Sequence, residues 1–349
     1  MIPSHGYAAK SPSSGLKPYS FERRDPGPND IVVDIAYSGI CHSDIHQVRD
    51  EWGGSIYPMV PGHEIVGRIA KAGSAVKKFR EGDLTGVGVM VDSCRVCENC
   101  KAELQQYCFK GMVPTYNARD YHGEMTFGGY SNNIVVDVGY AFTLSQKLNL
   151  AAVAPLLCAG ITTYSPLRHW KVGPGKKVGI IGLGGLGHMG LKFAHSFGAH
   201  VVQFTTSVGK TEDAKKLGAD EVIVSKDADA MAKQAGTFDF VLNTVSGPHD
   251  INLYMNLLKQ DGTLCNVGLP EKPMTVQGIS LLVNRRSLAG SMIGGITETQ
   301  EMLDYCADHG IVSEIEMTSI DKLEEAYKRV LKGDVKYRFV IDMATLPAK

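Results

Sequence analysis

Apolar and polar positions along this 349-residue chain follow two rhythms. Up to about residue 150, short apolar runs alternate or sit between glycines and charged turns, as in Ile31-Val32-Val33-Asp34-Ile35-Ala36-Tyr37, in 65–70 and in 84–90, with the turn Arg80-Glu81-Gly82-Asp83 between two of them. A further run covers 128–136. Period-two runs bounded by turn residues predict strands, and several in succession predict an all-β, partly open barrel.

Beyond about residue 150 strand and helix patterns alternate. A helical segment through Cys158 leads to a buried strand at 176–181, then strands at 201–205, 221–224, 238–243, 262–268 and 287–292, with a helix over 210–217. That alternation predicts a doubly wound parallel sheet. Helices near 296–309 and 320–331 and a closing strand at 337–341 are assigned back to the first domain.

Length and charge narrow the function. A chain of 349 residues exceeds what one core usually supports, so two domains are expected. The formal net charge is -1, with no basic face or tail, which argues against nucleic acid and favours a small-molecule substrate. Residues 1–7 lack a signal-peptide pattern and no apolar run reaches the roughly 18 residues of a membrane span, so a cytoplasmic protein without a membrane partner is expected. In that compartment eight cysteines read as thiols and metal ligands.

Two groups of cysteines carry chemistry. Cys41, in Gly39-Ile40-Cys41-His42-Ser43-Asp44-Ile45-His46, His63, in Pro61-Gly62-His63-Glu64, and Cys158, in an apolar run, make a ligand set used for catalytic zinc, with a fourth position left open. Cys158 alone reads equally well as core. Cys94, Cys97, Cys100 and Cys108 form C-x2-C-x2-C-x7-C, in which one loop can wrap a tetrahedral ion with four thiolates. Such a closed site is structural zinc; an iron–sulfur cluster is the rival, although the proline-rich context of a cluster motif is missing.

Gly182-Leu183-Gly184-Gly185-Leu186-Gly187 places G-x-G-x-x-G directly after a predicted strand and before a helix, the context that marks a dinucleotide site. NAD sites usually carry Asp or Glu about 20 residues later; here the stretch reads Thr205-Thr206-Ser207-Val208-Gly209-Lys210. Three hydroxyls and one cation, with no carboxylate to repel a 2′-phosphate, favour NADP(H).

On these motifs, together with Pro155-Leu156-Leu157-Cys158-Ala159-Gly160-Ile161-Thr162 and Gly290-Ser291-Met292-Ile293-Gly294-Gly295, the chain resembles the zinc-dependent, medium-chain alcohol dehydrogenases. Within them it resembles the cinnamyl alcohol dehydrogenase branch of NADPH-dependent aldehyde reductases, including its bacterial members. The resemblance implies a GroES-like, mainly β catalytic domain (1–158 and 293–349) and a Rossmann dinucleotide-binding domain (159–292), with hydride transfer in the cleft between them. It implies two Zn2+ per chain, the catalytic ion on Cys41, His63 and Cys158 with Glu64 close by as an exchanging ligand. Asp44 resembles the acid that orients the ligand histidine, Ser43 the hydroxyl that meets the alcohol oxygen, and His46 the relay to solvent. Thr162 and Ser291 would attend the cofactor and Arg338 would reach its pyrophosphate.

Trp52, Met90 and Ile293 fall where relatives line the substrate pocket, an apolar slot for aromatic and medium aliphatic aldehydes in which a polyol would leave hydroxyls unpaired. A homodimer joined through the edge strand near 287–292 is expected by the same resemblance. A polyol or sugar dehydrogenase on this scaffold, and a non-catalytic NADPH-binding protein, remain the alternative readings.

Overall fold

A computed structural model describes residues 1–270 and 272–348. Its contacts divide the chain into one unit of Met1–Ile161 and Gly294–Lys349 and a second of Thr162–Ile293.

The first unit opens with a hairpin of β1 (Ile2–Ala9) and β2 (Leu16–Arg23), paired from Ile2↔Arg23 to Ala9↔Leu16. Sequence reading misses this hairpin because its strands carry Pro3, Ser4, His5, Lys17, Pro18 and Ser20 rather than an apolar alternation. The unit's centre is β3 (Asp30–Gly39), which pairs antiparallel with β4 (Ile65–Ala72) and also with β8 (Asn133–Asp137). Ile31, Val32, Val33 and Ile35 are all buried, as a strand covered on both faces requires. The run expected at 84–90 divides into β5 (Leu84–Val87) and β6 (Met90–Asp92), the latter paired with β7 (Val113–Pro114). β9 (Ala141–Thr143) lies at the edge beside β5.

The strand expected over 128–136 begins only at Asn133. Residues 128–130 are held instead by the 60–62 segment: Gly128 N–H donates to Val60 O (2.7 Å), Gly129 N–H to Gly62 O (2.8 Å) and Tyr130 N–H to Pro61 O (3.0 Å). The helical segment through Cys158 is also interrupted. A turn of helix at Leu150–Val153 tightens to 3-10 at Ala154–Leu157, Cys158 leaves the helical region at φ -130, ψ -71, and Ala159–His169 resumes the helix.

The second unit is a six-stranded, wholly parallel sheet. Its strands are β10 (Lys177–Ile181), β11 (His200–Thr205), β12 (Glu221–Val224), β13 (Phe238–Asn243), β14 (Leu258–Asn266) and β15 (Ser287–Gly290), in the order β12-β11-β10-β13-β14-β15. The order reverses at β10, so its C-terminal end is the topological switch point where ligands of such sheets bind. Phe204, Phe238, Val241, Met255 and Leu258 form the core on one face.

The chain then returns to the first unit through the helix Ile296–His309, β16 (Ile315–Ser319), the helix Leu323–Lys332 and β17 (Arg338–Asp342). β17 pairs with the end of β3 through Val340↔Gly39, and Ile40 N–H donates to Phe339 O (2.9 Å), which brings Arg338 to the metal-ligand end of β3.

Candidate active site

Cys41 ends the extended run of β3 and caps the helix His42–Val48; its N–H donates to Asp44 Oδ2 (2.8 Å), which closes the helix start and fixes the thiol's direction. Ser43, in the first turn, donates its hydroxyl to Cys41 Sγ (3.0 Å). Gly39 is required just before, because any Cβ there would collide with the Glu64 carboxylate. His63 and Glu64 precede β4, and Cys158 sits at the helix break, its Sγ 3.9 Å from that of Cys41.

The first unit thus brings together Cys41, His63, Glu64 and Cys158: one ligand atom from each lies within 4.8 Å of all the others. Among the described residues His63 Nε2 and Glu64 Oε2 are buried with no hydrogen-bond partner. Orphaned atoms of that kind are costly unless a cation takes them up, and two sulfurs, one imidazole and a carboxylate suit zinc.

The electrostatics of the bare ligands agree. The hydrogen bond between the two thiols draws Cys41 well down and pushes Cys158 well up, since adjacent sulfurs in a buried site cannot both ionise without a cation. Burial raises the Glu64 carboxyl to about 7 even though Arg338 opposes it. Burial would lower His63, but the Asp44 carboxylate more than offsets it. Asp44 is fully buried, with Oδ1 3.4 Å from His63 Nδ1, which leaves Nε2 facing the ligand cluster.

Arg338, expected at the cofactor pyrophosphate, is buried and ion-paired with Glu64. His46 contacts Glu51 through Nδ1 and Oε2 at 2.5 Å, and its ring is 5.8 Å from that of His42 and stacked on that of Trp52 at 4.9 Å. The sequence alone does not single out Glu51. Its one signal is an acid just past the helix's C-cap, Arg49, where Glu51 N–H closes the chain onto His46 O (2.9 Å). Trp52 is 38% exposed and Met90 is buried, both in the first unit; Ile293, in the second, is buried with a left-handed φ of 39.

Cys94, Cys97, Cys100 and Cys108 form the second cluster, each offering a sulfur within 4.8 Å of the others. Cys94 N–H points at Cys108 Sγ and Cys97 N–H at Cys94 Sγ, both at 3.4 Å. Amides of Phe109 and Cys100 hold the Cys97 thiol down to about 6. Four sulfurs at this spacing fit a closed tetrahedral zinc.

In the second unit β10 runs into the glycine turn, where Gly182 adopts φ 89, a conformation a side chain would strain, and a Cβ on Gly184 would meet nothing within 4 Å. Gly185 and Leu186 lead into the helix Gly187–Ser196, and a Cβ on Gly187 would strike the Gly182 carbonyl. Gln203, which in sequence reads only as a strand residue, is buried, and its amide donates to Ile180 O (3.1 Å), Gly182 O (2.9 Å) and Phe204 O (2.7 Å). Thr205 ends β11 and its Oγ1 accepts from Ser207 N–H (3.2 Å). Thr206 and Ser207 are exposed, and Lys210 Nζ donates to Leu183 O (3.0 Å). The hydroxyl-rich loop and the glycine turn are therefore linked, and the residues fit a phosphorylated dinucleotide. Thr162 is buried near the start of this unit, and Ser291 N–H donates to Asn266 O (3.2 Å) at the end of β14.

Comparison with known proteins follows both units. Residues 27–146 match the alcohol dehydrogenase GroES-like domain and 185–308 the zinc-binding dehydrogenase family. The chain is 58% identical over 344 residues to an aldehyde reductase of Escherichia coli (97% of each chain). It is 55% identical over 341 residues to an NADP-dependent alcohol dehydrogenase of Mycolicibacterium smegmatis (97% of this chain, 98% of the other). A solved cinnamyl alcohol dehydrogenase of Sorghum bicolor superposes with a TM-score of 0.96 at 42% identity, over 99% of both chains.

Proposed function

This chain belongs to the zinc-binding, medium-chain alcohol dehydrogenases, and on that premise we propose that it is an NADPH-dependent aldehyde reductase, reversible as an alcohol dehydrogenase, acting on aromatic and medium aliphatic aldehydes. The observation that carries this reading is the set of half-buried Cys41 with buried His63, Glu64 and Cys158, with an unpartnered imidazole nitrogen, beside the hydroxyl of Ser43. Bound there, zinc supplies Lewis-acid polarisation of the carbonyl oxygen and stabilises the charge that develops on it, while NADPH supplies the hydride.

The protein's own residues supply the rest. Cys41, His63 and Cys158 would hold the ion, with Glu64, restrained by Arg338, beside it. Asp44 keeps the proton of His63 on Nδ1. Ser43 Oγ hands a proton to the nascent alcohol, and His46, braced by Glu51, passes one in from solvent. Trp52, stacked on His46, offers an aromatic face to the substrate.

NADPH rather than NADH is favoured by the absence of an acid from 205–210 and by Lys210 standing over the glycine turn. Two ligand clusters support two zinc ions per chain. Eight free cysteines support a reducing, cytoplasmic setting. A homodimer through the edge of β15 is supported by the exposed apolar side chains of Ile279, Leu282, Val283 and Met292 around that edge.

The test is cinnamaldehyde reduction with NADPH and with NADH, using protein whose zinc has been counted. A large NADPH advantage with two zincs per chain is expected. An equal or greater rate with NADH would overturn the cofactor reading, and turnover of sorbitol but not benzyl alcohol would replace the substrate class with a polyol.

A further inference from the structure

Asp44 is an unusually complete acceptor. Its two oxygens offer about four lone-pair sites, and four groups converge on them in a place where its own exposure is 0%. Oδ1 accepts from Gly62 N–H (3.1 Å) and lies 3.4 Å from His63 Nδ1. Oδ2 accepts from Cys41 N–H (2.8 Å) and from the hydroxyl of Tyr130 (3.2 Å). Three of these groups belong to the Cys41 and His63 segments themselves. The fourth, Tyr130, arrives from far along the chain.

Tyr130 is itself fully buried and fixed at every point. Its N–H donates to Pro61 O (3.0 Å), its carbonyl accepts from Tyr7 N–H (2.9 Å) and its ring lies flat enough against Gly62 that a Cβ there would come within 2.6 Å of Cδ1. Burial, with the Asp44 carboxylate nearby, holds the phenol well above its ordinary range, so the hydroxyl remains a donor. Tyr116 packs against His63, its ring nearly parallel to the imidazole at 5.8 Å.

We infer that Tyr130 is a positioning residue for the catalytic metal ligand His63, acting through Asp44: its hydroxyl pins the carboxylate whose other oxygen sets the imidazole's orientation. This rests on the catalytic-zinc reading of the Cys41 cluster. Without the hydroxyl, Oδ2 keeps only the Cys41 N–H, so the carboxylate is less firmly held and the aim of the imidazole loosens, while both ligand sets keep all their atoms. The Gly128-Gly129 pair is then explained as the means of laying Tyr130 onto the 60–62 segment.

The experiment uses the zinc-loaded enzyme and follows metal release to a chromogenic chelator, with the absorption spectrum of cobalt(II) at the catalytic site as a second readout. Tyr130→Phe keeps the ring and is expected to release one of two zincs about tenfold faster, in line with the loss seen when groups that orient metal ligands are removed, and to alter the cobalt bands. Release of the other zinc is expected to stay at the wild-type rate. In an Asp44→Asn background, Tyr130→Phe is expected to add nothing, because the route through the carboxylate is already lost.

Wild-type release and an unaltered cobalt spectrum in Tyr130→Phe would overturn the inference, as would equal acceleration of both zincs or full additivity with Asp44→Asn. Failure of Tyr130→Phe to fold would also count against it, since a hydroxyl acting only through Asp44 leaves the ring packing intact. A wild-type protein that binds only one zinc per chain would instead defeat the catalytic-zinc reading beneath it.

Discussion

His46 Nδ1 and Glu51 Oε2 meet at 2.5 Å across the end of the helix His42–Val48, with Trp52 stacked on the imidazole 4.9 Å away. The carboxylate fixes which ring nitrogen carries the proton and which way the ring faces, the arrangement that a proton relay needs. Glu51→Ala should therefore lower turnover about tenfold in aldehyde reduction at neutral pH, with little effect on the affinity for NADPH. Steady-state kinetics checks this; unchanged turnover would leave Glu51 as a surface partner only.

Ser43 donates to Cys41 Sγ at 3.0 Å, so its hydroxyl already points into the ligand cluster. Ser43→Ala should reduce turnover by about 100-fold, the scale of a lost general acid–base step, while zinc analysis still finds both ions. Loss of zinc in parallel would make the effect one of metal binding rather than proton transfer.

Lys210 donates to Leu183 O (3.0 Å) from the far end of the hydroxyl-rich loop, and three hydroxyl residues share that loop. Lys210→Gln should raise the dissociation constant for NADPH about tenfold or more, the worth of a charge-assisted phosphate contact, and leave NADH binding nearly unchanged. Titration of cofactor fluorescence separates the two. A parallel weakening for both cofactors would place Lys210 at the shared pyrophosphate instead of the 2′-phosphate.

Asp30 opens β3. Burial would raise its pKa, but hydrogen bonds from Arg24 and from Gly27 N–H (2.6 Å), with the charge of Arg24, carry it below the ordinary 3.8. A carboxyl lowered by folding contributes stability that is present in full above 3.8 and is lost as pH falls through the folded value. Arg24→Ala should cost about 1 kcal/mol at neutral pH, allowing for solvent screening of the partly exposed guanidinium. The difference from wild type should shrink on acidification below pH ~4. Denaturant unfolding across that range tests it; a constant difference would assign the loss to packing.

Much of the fold is readable because its signals are local. β12, β13 and the helix Ile296–His309 stand at the expected residues, since apolar runs of strand length and helical periodicity report on each segment alone. The hairpin of β1 and β2 escapes because its polar residues leave it no apolar alternation. Gly128 to Tyr130 reads as the start of a strand because glycine and an aromatic fit one, yet the hydrogen bonds of that segment go to residues 60–62. Cys158 sits in what reads as continuous helix, and it departs to φ -130 at the end of the 3-10 turn Ala154–Leu157.

By itself the sequence determined the chemistry available: two sets of metal-ligating side chains, a glycine turn between strand and helix, and a phosphate-side loop with hydroxyls and a lysine but no acid. Those are matters of residue type and short spacing, and ligands and tight turns accept few substitutes. Only the tertiary structure decided that Glu64 would be shared between the ligand cluster and Arg338, that Glu51 would brace His46, that Gln203 would tie the glycine turn to its strand, and that Tyr130 would complete the donors around Asp44. The pairs Glu64–Arg338 and Asp44–Tyr130 join residues 274 and 86 positions apart, and strand register and backbone contacts, not spacing, set which of many buried polar groups meet.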